Sequence, residues 1–347
     1  MDVFCVIPFH CYETDGQTFD NIGCCRWPRG TSRASVQDSI KNGARHPACA
    51  TCWRAEDRGA VSERQTHNST MDWLLDKDIE KIAEDAVDGN TTTYMLKLYT
   101  SNLCNGLCVT CGPEASTAWQ FTEGLPVKYM TQDINDVGID WDNIAYLSMV
   151  GGEPMLEKQN WRVLHKLTQS GRTDLFVTMV TNASVKLNQD QENLLKQFTN
   201  LNLCISMDGI GPVYEYMRYP VKWADFSDNV AYYKQITSNL SASVMISNLN
   251  IRYIDQTLDW LDNNDIPYLA KSIEEPDYYR PGVMTTDMYA EVLNTNPVHA
   301  IHYLDHSVDS IPHYSILEHA KQDIARQDQL KGIRIEDYLT GWADYFK

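Results

Sequence analysis

Three cysteines on one short stretch carry the clearest chemistry in this sequence. Cys104, Cys108 and Cys111 are separated by three and then two residues, and they follow an alternating, strand-like run at 94–99. Three thiols that close on one loop form a chelate. Their spacing differs from the paired knuckles of structural zinc sites, which also need a fourth ligand. On a four-iron cluster, three thiolates would leave one iron open to a substrate or cofactor.

This cysteine loop resembles the signature of the radical SAM superfamily, which follows the first strand of a partial barrel. The resemblance implies a 4Fe–4S cluster on the three thiolates, which are the expected catalytic centre, and an open iron that binds S-adenosylmethionine (SAM). In that family the reduced cluster cleaves SAM to methionine and a 5′-deoxyadenosyl radical, which abstracts a hydrogen atom from the substrate. By spacing alone, a zinc loop or a set of buried free thiols is the alternative.

Composition narrows the class of protein. The 347 residues carry a net charge of −18, and the excess of acid lies in 67–347, because 1–66 hold eight basic and eight acidic side chains. An acidic body argues against non-specific binding of nucleic acid or anionic membranes. No segment approaches the ~20 apolar residues of a membrane span, and the N-terminus lacks the features of a secretory signal. Ten clustered cysteines favour metal binding in a reducing cytoplasm.

Residues 1–66 contain a second group of cysteines. Cys49 and Cys52 have a local chelate spacing, and Cys5 and Cys24 could complete a set of four thiolates. The segment is irregular and has few large apolar residues, which predicts that a metal must stabilise it. Residue chemistry alone allows zinc or a four-iron cluster, with zinc as the default for four thiolates.

The order of these cysteines resembles the twitch (half-SPASM) auxiliary-cluster segment of one branch of radical SAM proteins, common in phage and metagenomic sequences. The resemblance implies a second 4Fe–4S cluster, whose ligands would be Cys5, Cys24, Cys49 and Cys52. Seven residues separate Gly16 from Cys24, more than is usual in that family, so Cys25 is an alternative to Cys24. Cys11 is left over from this set and is interpreted as a buried or free thiol. A phage-encoded protein of this kind would work in the cytoplasm of its host.

The helical spacing of apolar residues at 67–90 predicts one amphipathic helix, which connects the N-terminal cysteine segment to the barrel that follows. From residue 93 onward, strand patterns alternate with helical ones, which indicates βα units and a parallel sheet. The predicted strands span 93–100, 144–150, 174–181, 201–207, 243–249 and 267–273. The predicted helices between them span 114–123, 158–170, 188–199, 224–238 and 253–263.

The expected fold class is therefore α/β, a partial (β/α)6 barrel similar to part of a TIM barrel. The expected domains are the auxiliary-cluster segment, the connector helix, the barrel and a helical C-terminal extension, at 1–66, 67–90, 91–282 and 283–347.

In such barrels, functional residues lie at the carboxyl ends of the strands. The second predicted strand is followed by Gly151, Gly152, Glu153 and Pro154. Glycines let the backbone approach a ligand closely, and exposed amides there can bind a carboxylate. By itself the motif is also an ordinary turn. The resemblance places it on the methionyl end of SAM.

The next two strand ends carry further polar residues. The third strand ends in Asn182, which can hydrogen-bond, and Ala183 stands where the family usually has glycine. Alanine makes a positive φ less favourable there. The fourth strand ends at Ser206, and Arg218 follows shortly after. The resemblance assigns Ser206 to the SAM ribose and Arg218 to the SAM carboxylate, although each could be a turn residue or an exposed charge.

Other strand ends give more open expectations. Asp208 follows the fourth strand and could orient the substrate. Asn248 or Asn250, at the end of the fifth strand, could reach the adenosine end of SAM. After the sixth strand, Glu274 or Glu275 could accept a proton, although charged residues before a proline are more often simply exposed.

The resemblance implies a radical SAM enzyme whose auxiliary cluster takes an electron from the substrate radical or binds the substrate. Oxidation or cross-linking of a peptide or protein is the expected reaction, by analogy within the family. A dehydrogenase or epimerase of a small molecule, such as a nucleotide or sugar, is the alternative among enzymes. A zinc-stabilised binding protein without catalysis is the alternative outside them. The expected partners are SAM, the substrate and an external electron donor of the flavodoxin or ferredoxin type, without nucleic acid or membrane.

Overall fold

Seven parallel strands form an open, curled sheet in which the spatial order equals the chain order. The computed structural model describes residues 2–14, 23–24, 27–28, 30–57, 59, 61–129, 139–296, 298–300, 303 and 314–347, so Cys25 lies outside the described residues. The strands are β1 Cys11–Glu13, β2 Met95–Tyr99, β3 Tyr146–Val150, β4 Phe176–Thr181, β5 Asn200–Ser206, β6 Asn239–Ile246 and β7 Tyr268–Ser272. The predicted α/β partial barrel is confirmed, and all six predicted strands form.

The seventh strand was not predicted. β1 is contributed by the N-terminal segment and pairs with β2, with Cys11 opposite Met95. Three residues are too few to show a period of two in the sequence. The N-terminal segment and the barrel therefore share one sheet.

Side-chain alternation explains how the sheet builds the core. In β2, Leu96 and Leu98 are fully buried and face the helices, and Lys97 and Tyr99 face the other side. The register carries this alternation across the sheet, so that Lys97 lies opposite Ser148 and Ser148 lies opposite Thr178. One face of the sheet is thus apolar and packed, and the concave face is lined by polar groups.

Helices connect the strands and cover the apolar face. They are α1 Ile7–His10, α2 Arg33–Lys41, α3 Ala50–Asp57, α4 Glu63–Leu75, α5 Ile79–Val87, α6 Thr117–Thr122, α7 Lys158–Gln169, α8 Gln189–Leu195, α9 Gly211–Met217, α10 Trp223–Tyr233, α11 Ile254–Asn263, α12 Thr286–Thr295 and α13 Tyr314–Lys331. Each predicted crossover helix is present, and α9 is an additional one between β5 and β6. The expectation of a helical C-terminal extension is met by α12 and α13.

The prediction of one connector helix at 67–90 is wrong. Ser62 caps the N-terminus of α4, five residues before the predicted start at 67, through a capping box with Gln65. The chain then turns at Asp76, which has a φ of 50°, and Asp78 caps α5. Apolar residues keep a helical spacing on both sides of this turn, so the break was hidden in the pattern.

The N-terminal segment also departs from expectation because it has regular structure and a small core of its own. Phe4, Phe9 and Val36 pack with Met71 of α4 and Ile82 of α5. The segment therefore supplements its few apolar residues with those of the next two helices. In the part of the chain that the structure describes, no helix has the length and apolar character needed to cross a membrane.

Candidate functional site

The three central cysteines lie on the loop that leaves the carboxyl end of β2. Gly106 is at the centre of this loop, and its backbone nitrogen donates to Cys104 Sγ at 3.3 Å. A Cβ added to Gly106 would lie 3.4 Å from Cys108 Sγ and 3.5 Å from Cys104 Sγ. The missing side chain therefore leaves a cradle onto which two sulfurs converge.

The thiols influence one another electrostatically. Burial and, to a smaller extent, the neighbouring Cys108 raise the pKa of Cys104 to about 11. Burial of its thiol and the same neighbour raise the pKa of Cys111 to about 12, although the residue as a whole is exposed. Three thiolates here would repel each other, so the loop needs a bound cation to hold them ionised.

The turn after β3 holds the cysteine loop through backbone contacts. Gly152 N donates to Ser101 O at 3.0 Å, and Glu153 N donates to Leu103 O at 2.6 Å. A Cβ on Gly152 would lie 2.3 Å from Leu103 O, and Gly151 has a φ of 135°. The glycines allow close approach of two protein backbones. The expectation that these amides are exposed for a ligand is wrong for Gly152 and Glu153.

The Glu153 carboxylate ties the end of β3 to the end of β4. Its Oε1 accepts from Met155 N and from Thr181 Oγ1, and its Oε2 accepts from Asn182 N at 2.7 Å. The side chain is 1% exposed, and burial raises the pKa of Glu153 to about 7. The adjacent Pro154 carbonyl accepts from Asn160 Nδ2 at 3.0 Å. Glu153 thus organises the turn.

The end of β4 reaches the cysteine loop through Asn182. Its Nδ2 donates to Asn105 Oδ1 at 2.9 Å, next to the cradle. Ala183 has a φ of 57°, so the expectation based on alanine is wrong. Its nitrogen donates to Thr181 Oγ1 at 3.0 Å, and its carbonyl accepts from Asn229 Nδ2 at 2.7 Å. These two bonds hold the left-handed conformation despite the cost for a residue with a Cβ.

Arg218 brings a partly buried positive charge to the loop. Its Nη1 lies 3.9 Å from Cys108 Sγ, and its Nε lies 2.6 Å from Asp208 Oδ2. Burial alone would lower the pKa of Arg218, but Asp208 and Cys108 hold it above its ordinary value. Asp208 is 1% exposed, and its Oδ1 accepts from Met245 N at 2.9 Å. Asp208 therefore has a positioning role, and contact with a substrate would require this ion pair to open.

The remaining predicted residues lie along the later strand ends. Ser206 closes β5 opposite Ser243 of β6. The buried Asn248 donates through Nδ2 to Tyr278 O at 2.9 Å, and its Oδ1 has no partner among the described residues. Asn250 Nδ2 donates hydrogen bonds to the backbone carbonyls of Asp208 and Met245, so this amide is engaged within the protein. Glu274 follows β7, the last strand of the sheet.

The second predicted thiol set also comes together. One cavity in the N-terminal segment is lined by Cys5, Cys24, Cys49 and Cys52. Burial raises the pKa of Cys5, Cys49 and Cys52 above the ordinary thiol range. Arg64, which also lines this cavity, donates to Glu56 at 2.7 Å and to Phe4 O at 2.6 Å. Cys11 is buried elsewhere, with its Sγ 3.5 Å from Met95 Sδ.

Both sets have the donor chemistry of iron–sulfur clusters, which bind cysteine thiolates almost exclusively. Within the described ranges, no three Cys, His, Asp or Glu side chains are close enough to hold a single metal ion. Gly106 has no Cβ beside the sulfurs of Cys104 and Cys108, so an iron–sulfur cluster can approach both thiols there.

Sequence reasoning missed the residues that support the loop from behind. Trp119 Nε1 donates to Cys108 O at 3.1 Å, and Gln327 Nε2 of α13 donates to Val109 O at 2.9 Å. Leu107 N also donates to Tyr219 O at 2.7 Å. Gln327 is more than two hundred residues from the loop in the sequence, and nothing in its local pattern marks it.

Comparison with known proteins gives only distant likenesses. No family model matches the chain, and no curated protein does. Among solved structures, anSMEcpe with bound AdoMet is 14% identical, with a TM-score of 0.43, and the match covers 58% of this chain and 56% of that one. SuiB of Streptococcus suis bound to the precursor peptide SuiA is 13% identical, with a TM-score of 0.43, over 72% and 58% of the two chains. TYW1 with a lysine-pyruvate adduct is 12% identical, with a TM-score of 0.35, over 55% and 68%.

The chain thus spans 56–58% of the length of the first structures that it matches. At such low similarity, the function of this chain has to be inferred from its own residues.

Proposed function

We propose that this chain is a radical SAM enzyme, in which Cys104, Cys108 and Cys111 hold a 4Fe–4S cluster with one open iron. The observation that carries the proposal is the loop after β2, where two thiols converge on the cradle at Gly106 and the Arg218 guanidinium lies beside Cys108. Three thiolates and a nearby cation suit an anionic cluster with a carboxylate-bearing ligand. When bound, the cluster supplies the single electron that cleaves SAM.

Arg218 is the expected partner of the SAM carboxylate. Asp208 engages the guanidinium at Nε, which leaves the terminal Nη atoms directed toward the cysteine loop. A guanidinium binds a carboxylate through paired N–H donors, and the buried position strengthens this interaction. Asp208 fixes the orientation of the side chain and neutralises its charge before the ligand arrives.

The other SAM contacts are assigned to the ends of β3 to β6. Gly151, Gly152, Glu153 and Pro154 form the wall at the methionyl end, where Glu153 joins that wall to Asn182. Ser206 is assigned to the ribose. Asn248 Oδ1 has no hydrogen-bond partner in the described part of the chain, which favours a donor at the adenosine end, because a buried carbonyl oxygen without a hydrogen bond is costly.

A second 4Fe–4S cluster is proposed for the cavity lined by Cys5, Cys24, Cys49 and Cys52. Four thiolates would satisfy all four irons, so this cluster is suited to accept an electron from the substrate radical. The net reaction would then be an oxidation or cross-link of a peptide or protein side chain, with Glu274 as a candidate proton acceptor. An external donor of the flavodoxin or ferredoxin type would reduce the first cluster.

Formation of 5′-deoxyadenosine tests the proposal. The protein is reconstituted with iron and sulfide without oxygen and mixed with SAM and dithionite, beside a triple Cys104/Cys108/Cys111→Ala variant. Cys204→Ala is the matched control, because Cys204 lies on β5, interacts with Ser241 and belongs to neither thiol set. We expect cleavage by the native chain and the control, and none by the triple variant.

Two results would oppose the proposal. A colourless protein that carries zinc would favour the non-catalytic binding protein. A fully iron-loaded protein that neither cleaves SAM nor changes its electron paramagnetic resonance (EPR) spectrum when SAM is added would show that the iron does not bind SAM. Cleavage that depends on an added peptide, and not on nucleotides or sugars, would support the peptide substrate.

A further inference from the structure

A lysine at the end of α13 is buried behind the cysteine loop. Lys331 is 8% exposed. Its Nζ lies 5.1 Å from the centre of the Trp119 ring, 5.8 Å from that of Tyr216 and 5.9 Å from that of Tyr219. The ammonium group is thus held among three aromatic faces, which attract a cation.

The same helix is attached to the loop by hydrogen bonds. Lys331 Nζ donates to Gln327 Oε1 at 2.9 Å, and Gln327 Nε2 donates to Val109 O at 2.9 Å. Trp119, the closest ring to the ammonium, donates to Cys108 O at 3.1 Å. The contacts through Gln327 end on Val109 O, and those through Trp119 end on Cys108 O. The position of the Lys331 ammonium group is therefore fixed relative to the thiols.

This buried cation has no counter-ion in direct contact among the residues that the structure describes. Among the described residues, no carboxylate forms an ion pair with Lys331, and its hydrogen bond goes to a neutral amide. Asp323 and Asp328 act on it from a greater distance, but they bond to Tyr279 and to Tyr216, respectively. Burial lowers the pKa of Lys331 to about 8, and the Cys108 thiolate opposes this effect. A buried charge without a partner is costly, so negative charge at the cysteine loop is the compensation that the arrangement offers.

We propose that Lys331 is the counter-ion of the cluster held by Cys104, Cys108 and Cys111, and that it favours the reduced form of that cluster. This inference rests on the proposed function. Reduction adds one electron from the donor to the cluster and makes it one unit more negative, without a bond or proton being moved. A fixed cation stabilises the more negative form. Lys331 acts through its electric field and does not touch SAM or substrate.

The test compares the reduction of the cluster in three reconstituted variants of the full chain. Lys331→Met keeps an apolar chain within the aromatic cage and removes the charge, and Lys331→Arg keeps the charge. Lys321→Met is the matched control, because Lys321 lies on the same helix and pairs with Glu318 at 3.2 Å. Each protein is poised with dithionite at the potential that reduces half of the native clusters. The EPR signal that changes when SAM is added identifies the cluster with the open iron.

We expect the ratio of reduced to oxidised cluster to be about tenfold lower in Lys331→Met, which corresponds to ~59 mV for a one-electron couple. Lys331→Arg and Lys321→Met should stay close to the native ratio. An unchanged ratio in Lys331→Met, with normal iron content, would overturn this inference alone. An equal fall of this ratio in Lys331→Met and Lys331→Arg would also overturn the inference. Lys331→Arg keeps the positive charge, so an equal fall would mean that Lys331 has only a structural role.

A failure of the proposed function can be distinguished from a failure of this inference. If the native chain forms no EPR-active cluster, the proposed function fails, and this inference fails with it. If Lys331→Met does not take up iron, the comparison of Lys331→Arg with Lys331→Gln decides, since glutamine keeps a polar group in the cage without a charge. A native ratio in the glutamine variant would overturn the inference.

Discussion

Asp208 Oδ2 lies 2.6 Å from Arg218 Nε, in an ion pair whose carboxylate side chain is 1% exposed and whose guanidinium side chain is 17% exposed. The same guanidinium reaches toward Cys108, with Nη1 at 3.9 Å from the sulfur. Asp208 also accepts from the backbone of β6 at Met245. One carboxylate therefore joins two strand ends and sets the position of the positive charge beside the cysteine loop.

Asp208→Asn should be strongly destabilising. The substitution keeps the shape and removes the charge that compensates Arg218, and breaking a buried ion pair costs ~3–5 kcal/mol. Urea unfolding of the native and variant proteins measures the difference. Asp337→Asn is the control, because the Arg334–Asp337 pair is exposed on both sides and such pairs contribute ~0–1 kcal/mol.

The double variant Asp208→Asn with Arg218→Met measures how strongly the two side chains depend on each other. It removes both charges, so its loss should be smaller than the sum of the two single losses. Additive losses would show that the two side chains do not depend on each other. SAM affinity should fall in every variant that removes or unpairs Arg218.

Gly152→Ala should dismantle the contact between the β3 turn and the cysteine loop. A Cβ there would lie 2.3 Å from Leu103 O and 2.6 Å from Leu103 C, and both are backbone atoms that cannot move aside cheaply. We expect reduced iron loading and loss of at least ~2 kcal/mol of stability, since strain at a packed site adds to the lost hydrogen bonds.

Gly124→Ala is the control for this glycine. Gly124 has a φ of 67° and nothing within 4 Å of its added Cβ, so it has backbone strain of ~1–2 kcal/mol without a clash. Its iron content should be native. Equal iron contents in the two variants would contradict the role given to Gly152.

His10 should make the protein sensitive to acid. It is fully buried in the N-terminal core, where its Nδ1 bonds to Thr92 O at 2.9 Å and its Nε2 has no partner among the described residues. Burial lowers the pKa of His10 below its ordinary value, so below ~pH 6.5 the unfolded chain binds a proton that the folded chain does not. Stability is then lost as the pH falls, by at most ~1.4 kcal/mol per unit.

His10→Gln keeps a hydrogen-bond donor and cannot be protonated in this range. Its unfolding free energy, measured from pH 7 to pH 5, should fall less steeply than that of the native protein. His165→Gln, at an exposed position of α7, should follow the native slope. A native slope in His10→Gln would show that His10 is not responsible for the acid sensitivity.

The fold was predictable because its signals are local. Each barrel strand from β2 to β7 is long enough to show alternating or continuous apolar residues, and each crossover helix has its own periodicity. The three residues of β1 could not show a pattern, and their place in the sheet depends on pairing with Met95 and its neighbours. The break between α4 and α5 escaped because a single left-handed residue, Asp76, interrupts an otherwise regular apolar spacing.

The candidate site was predictable only in its contiguous parts. Cys104, Cys108 and Cys111 lie within eight residues of each other, so their spacing alone reveals the chelate. The positive φ of Ala183 depends on its hydrogen bonds with Thr181 and Asn229. The charge of Lys331 reaches the cysteine loop from a helix that is distant in the sequence. Such relationships arise from the tertiary structure, and a single sequence does not contain them.

The four N-terminal thiols should account for half of the iron. With two clusters, the reconstituted chain is expected to hold about eight irons, and Cys49→Ser combined with Cys52→Ser about four. Because these residues line the cavity with Cys5 and Cys24, and the loop after β2 is untouched, basal cleavage of SAM should persist.

Cys11→Ser is the control, since Cys11 packs against Met95 and should leave all the iron in place. Cys24→Ser and Cys25→Ser, assayed side by side, identify the fourth ligand by which of them loses iron. Full iron in the Cys49/Cys52 variant would mean that the cavity holds no cluster.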